Sequence, residues 1–276
     1  MSLGDRAEGV ARLRCAVAAI EGRREAPTRA TVRLPLTRAL DRALGGGLAA
    51  DGLHEIAPAS PADGSAAMGF ALALAARLMA VRRRAAIVMA EDFALAEMGA
   101  LYGPGLAAFG LDLGRLVFVR APDAPALFQA MEDALKSGAP AAVIGEAWRL
   151  KSYDLAASRR LLLAARAGGA PALLIATSAF GAADGFSSAA ETRFEIAAAP
   201  SAHLPSAGGG RGLPGAPAFA VRLVKARIGA GGVGQGADPT RTFRLTWRVE
   251  ELSFDEPTLS LPVAAAVDDR PRATRA

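Results

Sequence analysis

Between residues 85 and 176 one rhythm repeats, and it rules out most folds. Short, continuously apolar runs at 85–89, 116–119, 141–144 and 172–176 alternate with longer helical patterns at 94–102, 124–136 and 153–167. Strands that are apolar on both faces need cover on both faces. A parallel sheet between two layers of helices supplies it to several strands in succession. The crossovers are then right-handed. The chain is predicted to be α/β, with a mostly parallel sheet flanked by helices.

Outside that core the patterns change. Residues 8–24 read as an amphipathic helix, and 36–44 as a short helix stopped by Gly45-Gly46-Gly47. Residues 52–56 read as a strand and 57–64 as a loop, followed by the long apolar run 66–81. After a Gly/Asp/Ser loop at 180–188, residues 192–198 form a further strand. The stretch 200–217 is rich in Gly, Pro and Ser. Residues 219–225 and 242–249 alternate polar and apolar, as antiparallel strands with one wet face do, around a glycine-rich turn at 229–236. The predicted units are an N-terminal helix and linker (1–34), one α/β domain (35–262) and a disordered basic tail (263–276).

Composition excludes several classes of function. With 52% hydrophobic residues in 276, a sizeable core is available and wholesale disorder is not expected. One cysteine, Cys15, leaves no disulfide framework. Two distant histidines, His54 and His203, leave no zinc site of the usual ligand types, so no metal is expected. The run 66–81, closed by Arg82, Arg83 and Arg84, is shorter than the ~20 residues a bilayer core requires. It reads as a buried helix, and with no signal-peptide pattern the expected location is cytoplasmic without membrane contact. Net charge is +5, with basic residues gathered at both ends around a slightly acidic middle. That distribution permits DNA contact at the ends, and an arginine-rich composition explains it equally well.

A strand, a Gly/Pro/Ser loop and a long helix form the setting of a phosphate-binding P-loop. Here the loop reads Ala57-Pro58-Ala59-Ser60-Pro61-Ala62-Asp63-Gly64-Ser65, and no lysine occurs before Lys136. Pro58 and Pro61 remove two N–H donors, and Asp63 places a negative charge where a phosphate would sit. No cofactor is expected there and no catalysis. Two acidic positions remain. Glu91, followed by Asp92, ends one apolar strand, where open α/β sheets place their ligands. Glu146 follows the apolar run 141–144 one residue too late for a metal carboxylate, and reads as a solvated loop-edge residue.

Several ordered segments resemble the RecA recombinase family. Leu40-Asp41-Arg42-Ala43-Leu44-Gly45-Gly46-Gly47-Leu48 and Gly52-Leu53-His54-Glu55-Ile56 match its lead-in to the P-loop, and Ala90-Glu91-Asp92-Phe93-Ala94 its water-activating glutamate segment. Residues 172–178 fall on its nucleotide-sensing strand, where Thr177-Ser178 replace the sensing glutamine. Val221 to Ile228 match its interface-lysine strand. The resemblance covers about residues 36–250 and fails at the catalytic positions. In that combination the chain resembles the ImuA family, the RecA-like members of the bacterial inducible mutagenesis cassette. This implies an SOS-induced, non-catalytic accessory role in translesion DNA synthesis and mutagenesis. The implied partners are an ImuB-like Y-family polymerase subunit, an error-prone replicative-type DNA polymerase, and RecA. A SulA-like cell division inhibitor and an ATP-dependent recombinase-type ATPase are the alternatives. Lys225 and Arg227 alternate on one strand, predicting two exposed cations on one face as a partner-binding candidate.

Overall fold

In the computed structural model, residues 32–179, 187–201, 203–204, 213–228, 232–233 and 240–256 are described. The predicted helix 8–24, the loop 180–186, most of the stretches 200–217 and 229–236, and the tail 264–276 lie outside them. The chain opens with β1 (Arg33–Leu34), α1 (Arg38–Ala43) and β2 (Leu48–Ala49), with β1 and β2 paired antiparallel. Thr37 Oγ1 caps α1 by accepting from Leu40 N at 3.4 Å. The return to β2 needs glycine: Gly47 has φ +114°, and a Cβ there would lie 2.7 Å from the Leu34 carbonyl oxygen.

The α/β region follows in order: β3 (Leu53–Pro58), a 3-10 turn (Pro61–Asp63), α2 (Gly64–Arg82), β4 (Ala86–Glu91), α3 (Asp92–Met98), α4 (Gly103–Ala108), β5 (Leu116–Ala121), α5 (Ala124–Lys136), β6 (Ala142–Ala147), α6 (Leu155–Gly168), β7 (Ala172–Ala176) and β8 (Thr192–Ala198). Then come β9 (His203–Leu204), β10 (Leu213–Pro214), β11 (Ala218–Ile228), β12 (Gly232–Val233), β13 (Thr242–Arg248) and β14 (Ser253–Asp255). The main sheet runs β14-β13-β11-β8-β3-β7-β6-β4-β5, with β12 paired to β11. From β8 to β5 the neighbours are parallel. The strands beyond β8 are antiparallel. The predicted fold class is the observed one.

Helices cover both faces. Helix α2 is apolar all round because it is enclosed. Phe70 packs its ring 5.5 Å from those of Phe194 and Phe254, and Trp247 Nε1 donates to Phe109 O at 3.0 Å. Among the described residues this is the one helix long and apolar enough to cross a membrane, and 67% of its most apolar stretch is buried inside the protein. Arg82 ends it as a clamp, donating to the carbonyls of Ala50, Gly169 and Ala141 at 2.7, 2.7 and 3.1 Å. On the other face α5 and α6 bury Leu127, Met131 and Leu161. Each is capped by an aspartate: Asp123 accepts from Ala126 N at 2.9 Å and Asp154 from Ala157 N at 2.7 Å.

Three of the departures from the predicted boundaries bear on the site. Ala57 and Pro58 belong to β3, where they pair with Glu195 and Ile196 of β8, so the loop is shorter than read. The predicted helix 94–102 stops early, because Gly99 at φ +83° ends α3 at Met98, and α4 starts afresh at Gly103. Strand β6 runs to Ala147 instead of stopping at Ile144. It is flanked by β4 and β7, which pair with Gly145 and Glu146 and hold the backbone extended.

Candidate functional site

The loop after β3 is closed by its own side chains. Ser60 Oγ donates to Asp63 Oδ2 at 2.6 Å, and Asp63 Oδ1 accepts from Ala198 N at 2.8 Å. Ala59 N donates to Ile196 O at 2.8 Å. Asp63 therefore ties the loop to the end of β8. Over the first turn of α2 lies Met98: a Cβ at Gly64 would come within 2.3 Å of its Cε. Ser65 is exposed beside it. Ala57, Pro58, Ser60, Asp63, Gly64 and Ser65 lie together from the end of β3 to the first turn of α2. They form a clasp filled by protein, with one anion and no cation of their own.

The two acidic positions have different fates. Glu91 is 3% exposed, and its Oε2 accepts from the amides of Trp148 and Arg149 at 2.9 and 3.2 Å. It holds the turn after β6. Asp92 pairs with Arg120 at 3.0 Å on the surface. Glu146 is not a solvated loop-edge residue. It lies inside β6, is 4% exposed, and forms no hydrogen bond or ion pair among the described residues. Burial alone pushes its carboxyl up to about 7. Side chains alternate along a strand, so Glu146 shares the α2 face with Ala142 and Ile144. Among the described residues no group of three or more His, Cys, Asp or Glu could hold a metal. His54 is buried, with Nδ1 2.7 Å from Thr192 Oγ1 and Nε2 2.7 Å from Ala49 O. Burial lowers its pKa, so the neutral ring donates from Nε2 to the carbonyl.

Lys225 and Arg227 do share one face, but Lys225 is not the freely exposed cation that alternation predicts. A bulge between Leu223 and Lys225 shifts the register of β11 against β8. Lys225 is half-buried, and its Nζ donates to Ser188 O at 2.8 Å. Burial brings its pKa down to about 8, opposed by the attraction of Glu55. Arg227 is exposed. Beside them is a cluster that sequence reasoning missed. Glu55, 1% exposed, accepts from Arg193 Nε at 2.6 Å and from Tyr153 OH at 2.6 Å. Burial and the adjacent carboxylate push the Tyr153 phenol well up. The available signal was His54-Glu55, two polar residues in succession inside an apolar strand.

A second feature bears on partners. Strand β5 is the sheet edge, and Val117 and Phe118 on it are 47% and 42% exposed. An apolar edge with unpaired backbone groups invites another chain.

No protein-family model matches the chain. It is similar to a solved structure of SulA from Pseudomonas aeruginosa, at 21% identity and a TM-score of 0.36, over 45% of this chain and 97% of that one. Two curated proteins, each named "Protein ImuA", come from two Caulobacter vibrioides strains, NA1000 / CB15N and ATCC 19089 / CIP 103742 / CB 15. Each is 33% identical to this chain over 207 residues, which cover 68% of it and 75% of the relative. With that identity over that share of both sequences, the chain belongs to the ImuA family.

Proposed function

We propose that the chain is a non-catalytic, RecA-like accessory protein of SOS-induced translesion synthesis and mutagenesis. It acts in the cytoplasm as an adaptor between an ImuB-type polymerase subunit and an error-prone replicative-type polymerase, with RecA as a further partner. Besides family membership, one observation carries this reading: the loop that would hold a triphosphate is a closed clasp. Asp63 spends its carboxylate on Ser60 and Ala198 N, Met98 lies over Gly64, and the loop itself contains no lysine. A triphosphate brought there would meet a negative charge and an occupied helix terminus. The apolar edge at Val117 and Phe118, and the exposed Arg227 beside Lys225, are the surfaces offered to protein partners or DNA.

Two measurements test the reading. Titration with a fluorescent ATP analogue should show no saturable binding; micromolar affinity dependent on magnesium would overturn the non-catalytic part. Affinity purification from DNA-damaged cells should recover an ImuB-type subunit. Recovery of no polymerase subunit would overturn the adaptor part.

A further inference from the structure

Beside the N-terminal half of α2 lies a cavity of about 350 Å³. This is within the size range of small-molecule sites, ~300–1,000 Å³. Its walls are Met68 and Leu72 of α2, Leu106 and Phe109 in and just after α4, and Tyr102. Among the described residues lining it, Glu146 alone carries a charge. That carboxyl is 4% exposed and has no hydrogen-bond or ion-pair partner within the described chain. Every other buried carboxylate described above is held: Glu55 by Arg193 and Tyr153, and Glu91 by two amides. A lone acid in apolar surroundings disfavours its ionised form until a counter-charge arrives.

We propose that this cavity binds a small organic cation, with an aromatic or branched apolar body against Met68, Leu72 and Phe109 and a protonated amine paired with Glu146. The chemistry of the walls selects this class. An anionic ligand would meet the carboxylate with no arginine or lysine to offset it. A neutral apolar ligand would fill the volume and leave the acid without a partner. An ammonium group supplies both the missing charge and the missing donors, and the rings of Tyr102 and Phe109 favour a cation near their faces. This site borders the clasp, sharing Ser65 and Met98 with it, and does not rest on the adaptor reading.

The full chain is titrated in mildly alkaline buffer with three probes of one shape: 2-phenylethylamine, 2-phenylethanol and phenylacetate. Binding is followed by the methionine methyl NMR signals. Met68 and Met98 line the cavity, whereas Met131 packs on the opposite face of β6 beneath Gly145. The amine should shift Met68 and Met98, leave Met131 in place, and bind about tenfold more tightly than the alcohol; phenylacetate should bind weakest. Glu146→Gln keeps the side-chain shape and should erase the preference for amine over alcohol. Equal affinity for amine and alcohol, no shift with any probe, shifts centred on Met131, or an unchanged preference in Glu146→Gln would overturn the proposal. If that variant fails to fold, the three-probe series on the unaltered chain decides by itself.

Discussion

Glu55 and Glu146 occupy parallel strands of one sheet with only β7 between them, and neither is more than 4% exposed. Their surroundings differ completely. On the α5–α6 face Glu55 receives Arg193, Tyr153 and the nearby Lys225, so its charge is fully answered by the chain. On the α2 face Glu146 opens on a cavity and is answered by nothing described. Burial therefore says little about the role of an acid; what matters is whether the fold supplies its partner. Glu55 fastens β3 to β8 and to the turn before α6, while Glu146 is left for something else to complete.

The comparison breaks most visibly at Arg193. Arg193→Met leaves Glu55 buried without its cation and should lower unfolding stability by about 3–5 kcal/mol, measured by urea denaturation. A loss below about 1 kcal/mol would mean that Glu55 depends on its partner no more than Glu146 does.

The next effect is a pH slope. Glu146 holds its proton to about 7 in the folded state against an ordinary 4.5, so the folded chain binds more protons between those values. Stability is thus fullest below about 4.5 and falls as pH rises through 7, by about 3 kcal/mol in all. Glu146→Gln should remove this component, seen as a stability difference from the unaltered chain that widens across that window. Parallel curves for the two proteins would show that Glu146 is not buried as a free acid.

Smaller effects separate the two cations. Lys225→Ala loses the bond to Ser188 O and should cost about 1 kcal/mol, whereas Arg227→Ala should stay within about 0.5 kcal/mol. Thermal melts of the single variants distinguish them. Equal losses would place both residues in the same surroundings.

The parallel core was legible because its strands are buried on both faces and so have no polar alternation to confuse with helix; 124–136, 172–176 and 192–198 coincide with α5, β7 and β8. The end of β6 was not legible. A run ending Gly145-Glu146 looks like the start of a loop, and only the pairing of both neighbours shows that the strand continues. Asp63 and the lack of a lysine in the loop were legible, but the bond that closes the loop onto Ala198 N was not, since that partner lies on β8. Tyr153 and Arg193 are separated from Glu55 by most of the domain, so their meeting was invisible to local pattern. The cavity likewise draws on residues 98–109, where the helix predicted to run to Tyr102 ends at Met98 and α4 begins at Gly103.

The position of β3 also dictates an order of events during synthesis. Among the described strands it is the first long one to leave the ribosome, yet its neighbours are β7, beginning at Ala172, and β8, beginning at Thr192. At ~5–20 residues per second, β3 waits on the order of ten seconds for a strand to pair with it, while α2, which packs on β3, β6, β7 and β8, meets β6 somewhat sooner. A nascent chain of this design is most vulnerable in its middle age, and truncation anywhere between residues 83 and 141 leaves α2 without β6, β7 and β8, most of the sheet it lies on.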